Sequence, residues 1–153
     1  MSALIVFIGN DLAADDGIGH VMYERLMSKV LPEDTRCTLL GVGGMALIDE
    51  LDGEDLLVVV DAVQLGHEPG TIHILDWKQL PPSTIRPVSG HGIGIREAIE
   101  VAQRLCPEKT PKRVYLVGIE GKCFDELGAG LSEEVAGAVD GALKEVMNLV
   151  EIQ

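Results

Sequence analysis

Leu56-Leu57-Val58-Val59-Val60-Asp61 is the stretch that decides the fold. A short, β-branched-rich run with no polar alternation reads as a strand covered on both faces, the situation of a parallel sheet packed between helices. The carboxylate of Asp61 then leaves the buried sheet at its rim. To stay charged there it needs hydrogen bonds, a cation or a metal. A structural Asp that bonds loop amides meets the same need, and residue type alone does not separate the two readings.

Outward from this run, apolar stretches and helical patterns alternate. Leu4–Ile8, Thr38–Val42 and Val114–Ile119 also read as strands, and Thr71–Leu75 as an added strand at an edge. Ile18, Met22, Leu26 and Val30 mark one helical face; Ile95, Ile99, Ala102 and Leu105 mark a second. Val135, Val139, Ala142, Val146 and Leu149 mark a third, with Ser132 as its cap ahead of Glu133 and Glu134. A shorter helix is expected over Met45–Leu51, and Pro81, Pro82 and Pro87 make 78–90 a loop. Strands alternating with helices imply βαβ units, hence an α/β fold with a mostly parallel sheet and helices on both faces. With no repeat, low-complexity tract or linker, residues 1–153 are expected to form one unit.

Composition narrows the function classes. Apolar residues make up 46% of the chain and aromatics 3%, which suits an aliphatic sheet core. A formal net charge of −13 argues against nucleic acid as a partner, because an acidic surface repels phosphate backbones. Cys37, Cys106 and Cys123 are far apart and form no C-x-x-C pair, so neither a zinc knuckle nor a disulfide framework is indicated. The Met-Ser-Ala start lacks the basic region of a signal peptide, and no segment approaches the roughly 20 apolar residues of a membrane span. A cytoplasmic protein without a membrane partner is the expectation.

In open α/β sheets, sites form beyond the carboxyl ends of the strands. Three places qualify. Gly9-Asn10-Asp11-Leu12-Ala13-Ala14-Asp15-Asp16-Gly17-Ile18-Gly19 leads from the first strand into a helix. Asp15 or Asp16 stands where that helix begins, and N-capping competes with a functional role. The G-x-G-x-x-G spacing of a dinucleotide site is absent. Asp61 is the second place. The third is Ser89-Gly90-His91-Gly92-Ile93-Gly94, where a helix dipole disfavours imidazolium and leaves a neutral nitrogen able to bind metal. A surface or capping His fits that position too. His20, four residues after Asp16, is a rival ligand; His67 lies in a Gly/Pro loop and His73 in a strand. Two carboxylates and one imidazole on one rim suit a borderline divalent ion such as nickel or zinc.

Taken in order, these elements resemble the hydrogenase maturation endopeptidases. The resemblance rests on Gly9–Gly19, on Gly43-Gly44-Met45, on Val59-Val60-Asp61-Ala62 and on Ser89-Gly90-His91. Pro69-Gly70-Thr71 and Leu116-Val117-Gly118 also look like family segments, so the likeness spans nearly the whole chain. It implies a three-layer α/β/α sandwich with a mostly parallel sheet of about five strands. It implies an endopeptidase, a hydrolase of the aspartyl type, that removes a C-terminal extension from the large-subunit precursor of a nickel-iron hydrogenase. It further implies that Asp16, Asp61 and His91 contact nickel carried in by that precursor and serve as the catalytic set. There is no H-E-x-x-H and no Ser/His/Asp order, and Cys123 has no evident base partner to activate it. Position 16 is Glu in many members, so Asp16 reaches one methylene less far. The segment Gly41-Val42-Gly43-Gly44-Met45 lacks the Thr that members commonly carry there.

Two other readings use the same pattern. A receiver domain that accepts phosphate would employ Asp15, Asp16, Asp61 and Lys122 around magnesium. Against it, Asp15 comes seven residues after Ile8, Lys122 follows Gly121 rather than ending a strand, and His91 goes unused. A flavodoxin-like binding module without catalysis is the other alternative.

Overall fold

The computed structural model describes residues 1–9, 14–41, 45–79 and 94–151. Its strands are β1 (Ala3–Ile8), β2 (Thr35–Leu40), β3 (Leu56–Val63), β4 (Ile72–Asp76) and β5 (Arg113–Glu120). Its helices are α1 (Ile18–Leu26), α2 (Met45–Glu50), α3 (Ile95–Leu105) and α4 (Glu133–Glu151), with a 3-10 turn at Ala14–Gly17 just ahead of α1. The strands form one sheet in the order β2-β1-β3-β5-β4. The first four run parallel, and β4 lies antiparallel to β5 at the edge. The α/β sandwich expected from the sequence is the observed one.

Every residue of β1 and of β3 is buried, because both strands are interior and covered on both faces. Alternation sends Ile5, Phe7, Val58 and Val60 to one face, where they meet Ile18, Met22 and Leu26 of α1 and Val139, Ala142 and Val146 of α4. Leu4, Val6, Leu57, Val59 and Leu116 face the other way, onto Leu47 and Leu51 and onto Ile95, Ile99 and Ala102 of α3. Each fully buried Val, Leu or Ile contributes about 2 kcal/mol relative to exposure. The aliphatic side chains thus divide into two cores separated by the sheet.

Three expectations need correction. Helix α1 ends at Leu26, and Val30 is 93% exposed rather than part of the apolar face. The Ser28 hydroxyl donates to the Arg25 carbonyl at 2.7 Å and Lys29 N–H to Leu26 O at 2.9 Å, tightening the last turn, while Pro32 disfavours helix at Leu31. Leu105 ends α3 as expected but is 76% exposed, outside the core. Strand β3 runs two residues past Asp61, which therefore sits inside the strand opposite Gly118 instead of ending it. Of the loop expected over 78–90, Lys78 and Gln79 form a short 3-10 turn with Trp77, and the rest lies outside the described residues. The Ser132 cap is present: its hydroxyl accepts the Val135 N–H at 3.4 Å.

The amino ends of the strands are clipped by Asp55. Its carboxylate accepts the Ser2 N–H at 3.0 Å and the Lys112 ammonium at 2.6 Å. The bond from Lys112, then that from Ser2, holds the Asp55 pKa down at about 2. A depressed carboxylate contributes stability that is complete above its unfolded value near 3.8 and is lost as pH falls through about 2. In urea titrations across this range, the midpoint difference between the wild-type chain and Asp55→Asn should shrink as pH drops from about 4 to about 2. A difference independent of pH would contradict the clip.

The carboxyl ends depend on close backbone approach. A Cβ at Gly9 would run into the backbone carbonyl oxygen of Asp16, and one at Gly19 into that of Ile8. Gly19→Ala should therefore destabilise the chain by about 1–3 kcal/mol, the usual range for overpacking against atoms that cannot yield. Chemical denaturation measures this, and an unchanged midpoint would show that α1 does not press on β1 as described.

Candidate active site

The site is built where β1 and β3 finish side by side. Phe7 pairs with Val60, so Asp61 stands one residue beyond the last β1–β3 partners. Alternation along β3 places it on the face shared by Leu57, Val59 and Val63, the α2/α3 side. From the end of β1 the chain returns through the Ala14–Gly17 turn, whose four residues are all buried and which packs against β3. Asp16 lies in that turn, its backbone carbonyl against Gly9. Asp16 is 7% exposed and Asp61 1%, so both carboxylates are withdrawn from water at one end of the sheet.

The N-cap of α1 is Gly17, and no side chain caps that helix. Neither acid is the N-cap residue of α1. Asp15 is fully buried and faces the segment after β5. Its carboxylate accepts Lys122 N–H at 2.7 Å, Cys123 N–H at 2.9 Å, Ser132 N–H at 2.7 Å and Ser132 Oγ at 3.0 Å. The turn and that segment are thereby tied together. Ala14, just before it, takes φ of +48°, a left-handed conformation that costs a non-glycine residue about 1 kcal/mol.

His91 lies outside the described residues. Helix α3 begins at Ile95, with Gly94 as its N-cap. Among the described residues no group of three His, Cys, Asp or Glu side chains is placed to hold a metal ion. His20 is in α1, whereas Asp16 belongs to the preceding turn, so the two do not share a helical face. His73 is engaged elsewhere: its Nε2 is 3.1 Å from Glu120 Oε1, and its ring meets that of His67 edge-on at 4.8 Å.

Glu120 is a buried structural acid that sequence reasoning missed. It ends β5 as a buried acid, and its two oxygens accept the Leu65 N–H at 3.1 and 3.0 Å, fixing the chain just after β3. The signal that marks Asp61, a carboxylate after an aliphatic run, is equally present here. The cysteines are free and half-buried. Burial pushes the Cys37 thiol up to about 11, away from nucleophilic chemistry, and Cys123 Sγ lies 3.5 Å from Asp125 Oδ1.

These placements weigh on the alternatives. Receiver domains place their strands in the order 2-1-3-4-5; here an antiparallel β4 takes the edge beyond β5. Asp15 is committed to backbone amides, and the Lys122 ammonium pairs with Glu134 at 3.0 Å. No helix among the described residues is long and apolar enough to cross a membrane.

Comparison with known proteins adds an independent line. The sequence profile of the HycI hydrogenase maturation proteases matches residues 22–149. The hydrogenase expression/formation protein HupD of Rhodobacter capsulatus is 32% identical over 146 residues, 94% of this chain and 69% of that one. Among solved structures, the hydrogenase maturating endopeptidase HybD from E. coli superposes with a TM-score of 0.86 at 26% identity, covering 99% of this chain and 93% of its own. The hydrogenase maturation protease HycI from Thermococcus kodakarensis gives 0.74 at 25% identity, over 98% and 92%. With the profile covering most of the chain and the same fold shared end to end, this chain belongs to the hydrogenase maturation protease family.

Proposed function

We propose that this chain removes a C-terminal extension from the large-subunit precursor of a nickel-iron hydrogenase, and that it reads the nickel in that precursor through Asp16, Asp61 and His91. The observation that carries the reading is the burial of both Asp16, on the turn that follows β1, and Asp61, one residue beyond the last β1–β3 pair. Carboxylates withdrawn from water carry a desolvation cost. A divalent cation held by both relieves it. Hard carboxylate oxygens with one imidazole form a donor set that suits a borderline ion and leaves positions for the precursor's own ligands.

Nickel here is cargo, arriving with the substrate. Loaded, it polarises the scissile carbonyl or acidifies a bound water. The chain's own residues do the rest. Asp61, fixed within a strand, holds its carboxylate at a constant position. Asp16 is carried by the turn that follows β1, and one of the two takes a proton from the attacking water. His91 contributes an imidazole nitrogen as a third donor. Because the ion is needed to close the site, an unloaded precursor lacks the group that organises cleavage. Work on such a precursor takes place in the cytoplasm, without nucleic acid or membrane as partners.

Asp61→Asn and His91→Ala should each lower precursor processing by at least about 100-fold, the lower end of what a proton-transfer or metal-contact group supplies. Circular dichroism should report a folded chain in both. Processing at the wild-type rate by a folded variant would remove that residue from the site. A precursor purified without nickel should remain uncut under conditions that process the loaded form completely, and equal rates for the two would exclude nickel reading.

A further inference from the structure

The turn that carries Asp16 is not dictated by its own sequence. Ala14 sits in a left-handed conformation with φ of +48°, which nothing local favours, and the four residues make a 3-10 turn only. Such a conformation persists where its surroundings over-determine it. Two contacts from outside do so here. On one side Gly9, at the end of β1, receives the Asp16 carbonyl. On the other, Asp15 is gripped by the chain between β5 and α4. Its carboxylate accepts hydrogen bonds from Lys122 N–H, Cys123 N–H, Ser132 N–H and Ser132 Oγ, and its own N–H donates to the Cys123 carbonyl at 2.9 Å.

We infer that Asp15 is a positioning residue for this reaction: its buried clamp on residues 122–132 sets the turn at which Asp16 is presented to the precursor's metal. The inference rests on the reading of Asp16 as a metal contact. Two features separate the clamp from ordinary loop packing. The bonds reach both ends of the 122–132 segment, so one carboxylate closes it and fixes the turn together. The acid is also the immediate neighbour of Asp16, so any rotation of its peptide moves the carboxylate beside it. An amide at position 15 would keep one acceptor but set an N–H group against either the paired 122/123 amides or the Ser132 amide.

The experiment uses the full chain and nickel-loaded precursor, and compares Asp15→Asn, Ser132→Ala, Ser132→Thr and Asp16→Asn. For Asp15→Asn the expected result is a fall in kcat of about tenfold or more, in the range that outer partners of metal contacts command, with KM within about twofold. Amide hydrogen exchange, read without precursor, should accelerate over 14–17 and 122–132 while β1 and β3 keep their protection. Ser132→Ala should lower kcat severalfold, and Ser132→Thr, which keeps the hydroxyl, should restore it. Unchanged kcat in folded Asp15→Asn, or exchange that rises evenly through the sheet, overturns the inference. If Asp15→Asn does not fold, the two Ser132 variants decide, and equal kcat for them overturns it. Asp16→Asn separates the levels. If it is inactive while Asp15→Asn is fully active, positioning alone falls; if it is fully active, the metal-contact reading falls and takes the positioning role with it.

Discussion

A carboxyl group withdrawn from water inside a strand is the constraint on which the rest of this structure depends. Seven of the eight residues of β3 are aliphatic and fully buried; the eighth is Asp61, at 1% exposure. Burying a carboxylate costs several kcal/mol unless its surroundings compensate. Gly118 on β5 lies opposite Asp61, and the turn bearing a second acid is pressed onto the end of β1 through glycines at positions 9 and 19. Two further buried acids, Asp15 and Glu120, lash the chain segments around the rim rather than meeting a substrate.

This division of labour among the acids explains the glycine-rich entry motif in physical terms. Asp16 is presented on the Ala14–Gly17 turn. The turn that carries it must come close to the sheet, and glycine at position 9 permits the contact. Asp15 acts in the opposite direction, outward to the 122–132 segment. Adjacent acids in one tetrapeptide thus serve a structural clamp and a proposed metal contact.

Much of the fold was legible from periodicity, because the signal came from burial on both faces. The Leu56–Val60 run and the Val114–Ile119 run fell within strands, and the added strand at 71–75 proved to be the antiparallel edge. What failed were boundaries set by single interactions. The Ser28 hydroxyl and Pro32 stop α1 before Val30, and β3 runs on past Asp61 because Ala62 and Val63 still pair with Ile119 and Glu120. In the site, the rule that strand ends build sites pointed to the carboxyl end of the sheet, where Asp16 and Asp61 are both buried. The roles of Asp15 and Glu120 could not be anticipated, since the backbone amides they accept from lie more than 50 residues away in sequence; Ser132 was legible as a helix cap but not as a partner of Asp15. His91 remains a reading of the sequence, outside the described residues.

The most direct measurement is a crystal of this chain soaked with nickel and recorded at the metal's absorption edge. The expected result is one anomalous peak at the carboxyl ends of β1 and β3, within about 2.0–2.2 Å of an oxygen of Asp16, an oxygen of Asp61 and a nitrogen of His91. A fully occupied peak elsewhere on the chain, with Asp16 and Asp61 left uncoordinated, would contradict the proposed site.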